Sequence, residues 1–310
     1  SGLLSFAIYF LMNHPDVLRL GTPVLQANIN SDLARNAGIT PPYPGFTGNV
    51  AQALRMYPQY QAIQWRGVPT GRSQYHAMEV VLERRFSRGL QARVGYTFSK
   101  LRNNGTETGQ GSDGRNGGVQ NPADPLPWLL SDDDTPHVLL TGFTWEIPGP
   151  NSGAIRHVLG GWNLSGILRY ESGRPMTITM TNDLGGWLFN AQKRPNQVGD
   201  GMADFGDFDP FEDRYYNRAG WADPGPLQFG NAPERDGEVR GFRNFSEDIN
   251  IFKVFPLTSE RRLRFELQIG NLFNRTIYCN PASNWSAADF GQVFTQCNTA
   301  RSMQLGFRFD

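Results

Sequence analysis

The residue types that most often perform catalysis are scattered through this chain. None of its histidines has a serine or cysteine nucleophile motif nearby, or a second histidine at metal-ligand spacing. These histidines are His14, His76, His137 and His157. With no catalytic constellation to begin from, we expect a chain that is not an enzyme.

A nucleotide-binding pattern occurs once, with glycines at Gly109, Gly111 and Gly114. A dinucleotide fingerprint needs a strand directly before it and a helix directly after it. Here the pattern lies within a Gly/Asn-rich stretch that leads into Asn121-Pro122. We interpret the stretch as a flexible loop and expect no nucleotide and no cofactor.

Two acidic clusters have the residue types of a cation site. The first is Asp132-Asp133-Asp134, directly before an alternating segment. The second comprises Asp204, Asp207, Asp209, Glu212 and Asp213. Ca²⁺ takes several oxygens from a flexible loop, although this spacing does not fit an EF-hand. The second cluster is therefore a weak Ca²⁺ candidate, and a solvated acidic loop is the alternative.

The two cysteines, Cys279 and Cys297, lie in one Asn/Ser/Ala-rich segment without metal-ligand partners. A disulfide between them would suit an oxidising compartment. On the chain-entropy model, closing such a loop stabilises the fold by about 3 kcal/mol. The alternative is a pair of free thiols.

The composition limits the classes of protein. The chain has 310 residues, 12% of them aromatic, and a formal net charge of zero. Aromatic content at this level argues against disorder, and neutrality gives no electrostatic reason to expect nucleic acid. No window approaches the roughly 20 apolar residues of a membrane helix, and the run from Gly2 to Met12 is too short.

The elements that would position any site are strands. Leu263, Phe265, Leu267 and Ile269 alternate with charged or amide residues, which is the period of a strand with one apolar face. This pattern predicts strands at 76–86, 90–100, 138–147, 162–180 (with a break at Gly173), 248–255, 262–273 and 303–310, and a poorer one at 5–11.

Short turns alternate with long polar loops between these strands. The long loops are 101–137, 181–247 and 274–302. Bacterial outer-membrane barrels have short periplasmic turns and long external loops. We therefore predict an all-β antiparallel transmembrane barrel in the outer membrane, with external loops and a periplasmic C-terminus. A soluble β-sandwich also alternates, but a compact sandwich rarely carries such long loops.

The aromatic residues fit the barrel prediction. Strand ends on the short-turn side carry Phe86, Trp145, Trp162, Phe255 and Phe309. Amphipathic rings favour the headgroup level of a membrane. On the opposite side, Tyr96, Phe98 and Tyr170 lie toward the outer ends.

Several segments resemble one family in order and spacing. They include Gly161-Trp-Asn-Leu-Ser-Gly-Ile167, Ser172-Gly-Arg-Pro175, Arg194-Pro-Asn196 and Phe265-Glu-Leu-Gln-Ile-Gly-Asn-Leu-Phe-Asn274, together with 42–54, 75–90 and 96–100. From about Leu20 to its end the chain is similar to the C-terminal barrel of TonB-dependent receptors. The Oar-like group, which carries a carboxypeptidase-regulatory-like domain, is the most similar.

The resemblance implies a larger protein. Such barrels have about 22 strands and a plugged lumen, of which residues 1–310 would supply the last eight or nine strands. No segment of the chain matches the plug or the TonB box. The implied partners are outer-membrane lipid, the remaining N-terminal strands and plug, and the TonB system acting through that plug. The final strand, with Gln304, Gly306, Phe307 and Phe309, fits most of the pattern recognised by barrel assembly machinery.

Two sets of site residues follow. The polar phase of the strands predicts a lumen lined by Glu79, Glu83, Arg85, Arg93, Arg169, Glu171, Arg262, Arg264 and Glu266. These side chains would contact the plug and ligand, or would pair across strands and stiffen the wall. Loop aromatics that could contact a ligand, or pack the loops together, are Trp187, Phe189, Tyr215, Tyr216, Trp221 and Trp285.

The sequence leaves two functions open. The first is energised uptake of an unidentified ligand, captured by loops and plug before TonB pulls on the plug. The second is a barrel that serves as a scaffold in a larger membrane assembly and transports nothing.

Overall fold

The fold is described from a computed structural model of the chain. It covers residues 8–9, 13–60, 64–65, 71–104, 120–121, 128–150, 152–153, 155–188, 191–204, 206–258 and 261–309. The pattern at Gly109 to Gly114, the loop residue Phe189 and most of the poorer strand at 5–11 lie outside the described residues.

The N-terminal region contains short helices. In chain order the elements are β1 (Ile8–Tyr9), a 3-10 helix (Pro15–Leu20), α1 (Gly21–Gln26), α2 (Asp32–Asn36), α3 (Val50–Ala53) and β2 (Gln64–Trp65). Helix α2 begins where the Ser31 hydroxyl accepts from the Ala34 N–H, and α3 begins at an equivalent Asn49 cap. Ile29, Phe46 and Val50 close a small apolar core between these helices. None of the described helices has the length and hydropathy needed to cross a membrane.

Strands dominate the remainder. They are β3 (Ser73–Ser87), β4 (Leu90–Asn103), β5 (Leu129–Leu130), β6 (His137–Glu146), β7 (Trp162–Glu171), β8 (Pro175–Met176), β9 (Asn196–Gln197), β10 (Trp221–Ala222), β11 (Asp236–Arg240), β12 (Asn244–Pro256), β13 (Arg262–Gly270) and β14 (Ser302–Phe309). A short helix, α4 (Ile155–Leu159), connects β6 to β7, and a 3-10 turn (Arg218–Gly220) precedes β10.

Seven long strands form one antiparallel sheet in the order β14-β13-β12-β7-β6-β4-β3, and β5 pairs with the end of β4. This confirms the predicted all-β antiparallel class. Strands β7 and β12 are adjacent in the sheet but far apart in the sequence. They pair over ten residues, although 72 residues separate Glu171 from Asn244. Between them, the described residues of 172–243 leave the main sheet.

The predicted strand over 162–180 is too long. Strand β7 ends at Glu171, and Pro175–Met176 pairs with β11 outside the main sheet. The cause is a close crossing of two chain segments, because a Cβ built at Gly173 would lie 1.8 Å from the Gly241 carbonyl oxygen. The loop between β6 and β7 also contains α4, which the Gly/Pro-rich sequence did not predict.

Candidate functional site

The main sheet has two chemically different faces. Residues directly opposite each other in an antiparallel pair lie on the same face. One row across five strands contains Glu83, Arg93, Gly142, Ile167 and Asp248. We call the side of this row the polar face.

The opposite side, the apolar face, carries rows of hydrophobic residues. One such row runs through Ala92, Phe143, Gly166, Ile249, Ile269 and Met303. Trp145, Trp162, Phe255 and Phe309 belong to the same face at the short-turn end. In an outer-membrane barrel the apolar face meets lipid and the polar face meets the interior.

The polar face borders a hollow of about 1160 Å³. Every strand of the main sheet contributes to its lining, through residues that include Glu83, Gln91, Thr144, Ser165, Asn250, Gln268 and Gln304. Because β3 and β14, the two ends of the sheet, border the same hollow, the sheet curves with its polar face inside.

The register brings almost all of the predicted lumen residues to this face. They are Glu79, Glu83, Arg93, Arg169, Glu171, Arg262, Arg264 and Glu266. Arg85 differs, because it lies in the register shift between Arg84 and Ser87. Whether any of these side chains contacts a ligand stays a prediction.

Hydrogen bonds connect polar side chains within this wall. The Glu266 carboxylate accepts from Asn250 Nδ2 at 2.8 Å and from Gln268 Nε2 at 3.0 Å, and pairs with Arg264 at 3.1 Å. On β7, Arg169 donates to the Glu171 carboxylate. Neighbouring side chains therefore restrain one another on the polar face.

An apolar depression interrupts the polar face. Exposed Val81, Leu140 and Ile167 surround Gly95 and Gly142 in a pocket of about 440 Å³. A Cβ at Gly142 would meet nothing within 4 Å, and one at Gly95 would only touch the Leu140 carbonyl at 4.0 Å. The glycines therefore leave open space. Leu140 and Ile167 occupy polar-phase positions, a signal present in the sequence but missed.

Beyond the long-loop ends of the strands, the described residues of 172–243 and 271–301 pack into one unit, which we call the loop assembly. Its core contains Ile178, Tyr215, Tyr216, Trp221, Ala232, Val239 and Phe290. The core therefore joins the β7–β12 connection to the β13–β14 connection. The N-terminal region also contacts this unit, since Leu18 packs against Leu184 and Leu188.

Three consecutive carboxylates hold the loop assembly to the sheet. Asp132 pairs with Arg235 at 3.0 Å, Asp133 with Arg174 at 2.8 Å, and Asp134 with Arg240 at 2.8 Å. Burial raises the pKa of the Asp132 carboxyl, although the neighbouring Arg235 opposes the shift. The first acidic cluster thus forms ion pairs with the β7–β12 connection.

The second acidic cluster has a local structural role. The Asp209 carboxylate accepts from the Phe211 N–H at 2.9 Å, and the Asp213 carboxylate accepts from the Asp209 N–H at 2.8 Å. Across the described part of the chain, no group of three His, Cys, Asp or Glu side chains is arranged to hold a metal ion. Asp204, Asp207 and Glu212 are not brought into such a group, so the geometry gives the Ca²⁺ expectation no support.

The predicted ligand-contact aromatics are largely in the core. Tyr215, Tyr216 and Trp221 are buried, because two long loops pack over them. Trp285 and Trp187 are half-buried against the loop cores. Tyr215, Tyr216 and Trp221 therefore pack the loops together, which is the alternative to ligand contact that the sequence left open. Phe211, 91% exposed at the tip of the Asp209–Asp213 turn, is an accessible aromatic that the sequence reasoning missed.

The structure joins Cys279 and Cys297 in a disulfide, with their Cα atoms 4.9 Å apart. The Cys279 N–H donates to the Thr295 carbonyl, and the Cys297 N–H donates to the Ile277 carbonyl. The covalent bond therefore closes a loop whose two sides are already paired through the backbone.

A comparison with known protein families agrees with this architecture. A family model described as an outer membrane beta barrel domain matches residues 23–304. A solved structure, the outer membrane transporter YddB from Escherichia coli, is 10% identical with a TM-score of 0.39. That match covers 80% of this chain and 26% of the transporter, so the chain spans about a quarter of its length. No curated protein matches the sequence.

Proposed function

The chain belongs to the outer membrane β-barrel domain family, and on that premise we propose that it supplies the last strands of a TonB-dependent receptor. Such a receptor takes up a ligand across the outer membrane, using a plug that TonB pulls. The chemical class of the ligand is left open.

The observation that carries this proposal is an open, curved sheet with a polar interior. Within the described residues, β3 and β14 each pair with one neighbour in the main sheet. An unpaired strand edge is not stable in lipid, because its backbone amides and carbonyls have no water to bond. Further strands pairing with β3 and β14 would close the wall, as in a larger barrel whose lumen holds a plug.

The loop assembly suits ligand capture. Its buried core and its ion pairs with the sheet fix its position over the ends of the strands, while Phe211 and Phe294 are exposed on it. Exposed aromatic rings can stack on a ligand or bury its apolar parts. In the proposed orientation these loops are extracellular and Phe309 lies near the periplasmic rim.

Two measurements test the proposal. The intact mass and N-terminal sequence of the polypeptide from outer membranes come first, and we expect a mass well above 34.7 kDa with a plug upstream. A photoreactive residue replacing Ile167 is then expected to crosslink to that upstream plug. The control is Leu305, 57% exposed on the apolar face, which should crosslink to lipid instead.

Other outcomes contradict the proposal. A mass close to 34.7 kDa would remove the energised-transport mechanism. Crosslinks from Ile167 to separate proteins alone would favour the scaffold function, in which the rigid loop assembly is a contact surface for a larger complex.

A further inference from the structure

Helix α4 lies at the end of the sheet where the connections are short, which we call the short-turn rim: residues 84–90, 146–162 and 255–263. The Val158 carbonyl near its C-terminus accepts two hydrogen bonds. One comes from Trp162 Nε1 at 2.9 Å and the other from Lys253 Nζ at 3.0 Å. Both donors lie on long strands of the main sheet, so the helix is fixed to the rim.

The side of the sheet that holds α4 is the apolar face. Lys253 lies directly opposite Trp162 in the register, and its ammonium lies 5.3 Å from the Trp162 ring centroid and 4.8 Å from that of Phe255. The Trp162 ring in turn meets Phe265 edge to face. Helix α4 is therefore attached next to the aromatic belt of the lipid-facing surface.

The helix presents hydrophobic side chains outward. Ile155, Val158 and Leu159 are 56%, 66% and 54% exposed, although they make up most of a five-residue helix. Trp145 and Phe309, both on the apolar face, are also exposed. The hydrophobic surface of α4 thus continues the lipid-facing band to the membrane interface, where amphipathic helices and aromatic rings bind.

The charge of the short-turn rim is positive. Its three segments contain six arginines and two glutamates. Arg88, Arg156 and Arg261 are exposed on the three turns. Positive side chains beside an apolar surface attract the phosphates of anionic lipids.

We propose that α4 lies in the headgroup layer of the leaflet at the short-turn rim, with Ile155, Val158 and Leu159 among acyl chains. The exposed turn arginines Arg88, Arg156 and Arg261 then bind anionic phospholipid. The partner is the membrane itself. This inference uses the barrel family and the apolar face, and does not depend on transport.

A depth measurement tests the hydrophobic contact. The whole protein is reconstituted in vesicles of phosphatidylethanolamine and phosphatidylglycerol, with a polarity-sensitive fluorophore on Val158→Cys. The matched control is Asp207→Cys, exposed in the loop assembly. We expect brominated acyl chains to quench the Val158 label severalfold more than the Asp207 label. Equal quenching at the two positions would overturn the proposal, as would protection of the Val158 label by a protein instead of lipid.

A lipid-retention measurement tests the charge. The triple variant Arg88→Gln/Arg156→Gln/Arg261→Gln is purified beside Arg35→Gln, which removes an exposed arginine from α2. We expect the triple variant to retain severalfold less phosphatidylglycerol relative to phosphatidylethanolamine, and Arg35→Gln to behave as the parent. A triple variant that retains the parent ratio would overturn the anionic-lipid part. Formation of the Cys279–Cys297 disulfide is an independent check that each variant is folded.

Discussion

Tyr215 and Tyr216 are neighbours in sequence and lie edge to face in the loop core, with ring centroids 5.4 Å apart, yet their hydroxyls differ. The Tyr215 hydroxyl donates to the Arg240 carbonyl at 2.9 Å. The Tyr216 hydroxyl is buried and has no hydrogen-bond partner among the described residues. The pair therefore separates the effect of a satisfied buried hydroxyl from that of an unsatisfied one.

Replacing each tyrosine by phenylalanine should change stability in opposite directions. Tyr215→Phe removes a hydrogen bond and leaves the Arg240 carbonyl without this donor, so we expect a loss of about 1 kcal/mol. Tyr216→Phe removes a hydroxyl that is buried without a hydrogen bond, so we expect the free energy of unfolding to stay the same or to rise by up to about 1 kcal/mol. Amide hydrogen exchange in the loop assembly measures both. Equal losses would show that the Tyr216 hydroxyl has a partner, such as bound water.

Alkaline pH should loosen the same core. Burial raises the pKa of Tyr215 from 10.0 to about 12 and also raises the pKa of Tyr216. The folded state holds the hydroxyl protons more tightly than the unfolded state. The protonated hydroxyls therefore contribute fully to the free energy of unfolding below pH 10, and this contribution is lost as the pH rises toward 12. Proteolysis of the loop assembly across this range is the measurement. The Tyr215→Phe/Tyr216→Phe double variant should show a weaker dependence, and an unchanged one would assign the effect to other groups.

The strands were predictable because the surroundings of a barrel impose a period of two. The alternation of Leu263, Phe265 and Leu267 needs only a lipid side and a lumen side, and it located β13 to within a few residues. The loop interior was not predictable in the same way. Tyr216 and Trp221 are buried only because two connections, distant in sequence, pack together, and local composition carries no information on that contact.

The ion pairs of the loop assembly show the same limit. Asp132, Asp133 and Asp134 look like a solvated or metal-binding cluster in the sequence, but each meets a different arginine of a later segment. The nearest of these arginines, Arg174, is 41 residues from Asp133. Only the register of β6 with β7 and the path of the following loop bring these charges together.

Asp134 should be the costliest of these carboxylates to lose. It is 1% exposed, and its second oxygen accepts from the Leu101 N–H at 2.7 Å. Asp134→Ala leaves Arg240 and the Leu101 N–H without this acceptor, so we expect a loss of about 3 kcal/mol. Asp134→Asn can still accept from Leu101 and should lose less. Thermal unfolding compares both with Asp207→Asn, an exposed control expected to change little. An Asp134→Ala variant as stable as that control would exclude a stabilising role for the pair.

Removing the disulfide should loosen one connection and leave the sheet intact. The chain-entropy model assigns about 3 kcal/mol to closing a loop of this size, here with a separation of 18 residues. We expect Cys279→Ser/Cys297→Ser to be cleaved by protease between these positions much faster than the parent. Reduction of the parent should reproduce the effect. If neither treatment exposes cleavage sites, the backbone pairing of Cys279 with Thr295 suffices to hold the loop.

Two glycines on opposite faces of the sheet test whether the polar face encloses open space. A Cβ at Gly142 would meet nothing within 4 Å, whereas one at Gly166 would lie 2.8 Å from the Phe143 ring. The Gly166 Cβ would also lie 3.2 Å from the Asp248 carbonyl oxygen, which is held by the sheet, so Gly166→Ala should destabilise the fold by about 1 kcal/mol. Gly142→Ala should be neutral or slightly stabilising, because glycine is disfavoured within strands.

The larger substitution Gly142→Phe then separates stability from function. Its Cβ would meet no atom within 4 Å, and its ring would point into the apolar depression beside Leu140 and Ile167. We expect unfolding close to that of the parent, but weaker crosslinking of the plug from a photoreactive residue at position 167. If Gly142→Phe unfolds as readily as Gly166→Ala, the depression is packed rather than open. If the variant is stable and crosslinking is unchanged, the plug does not enter the depression, and the glycines have no part in holding it.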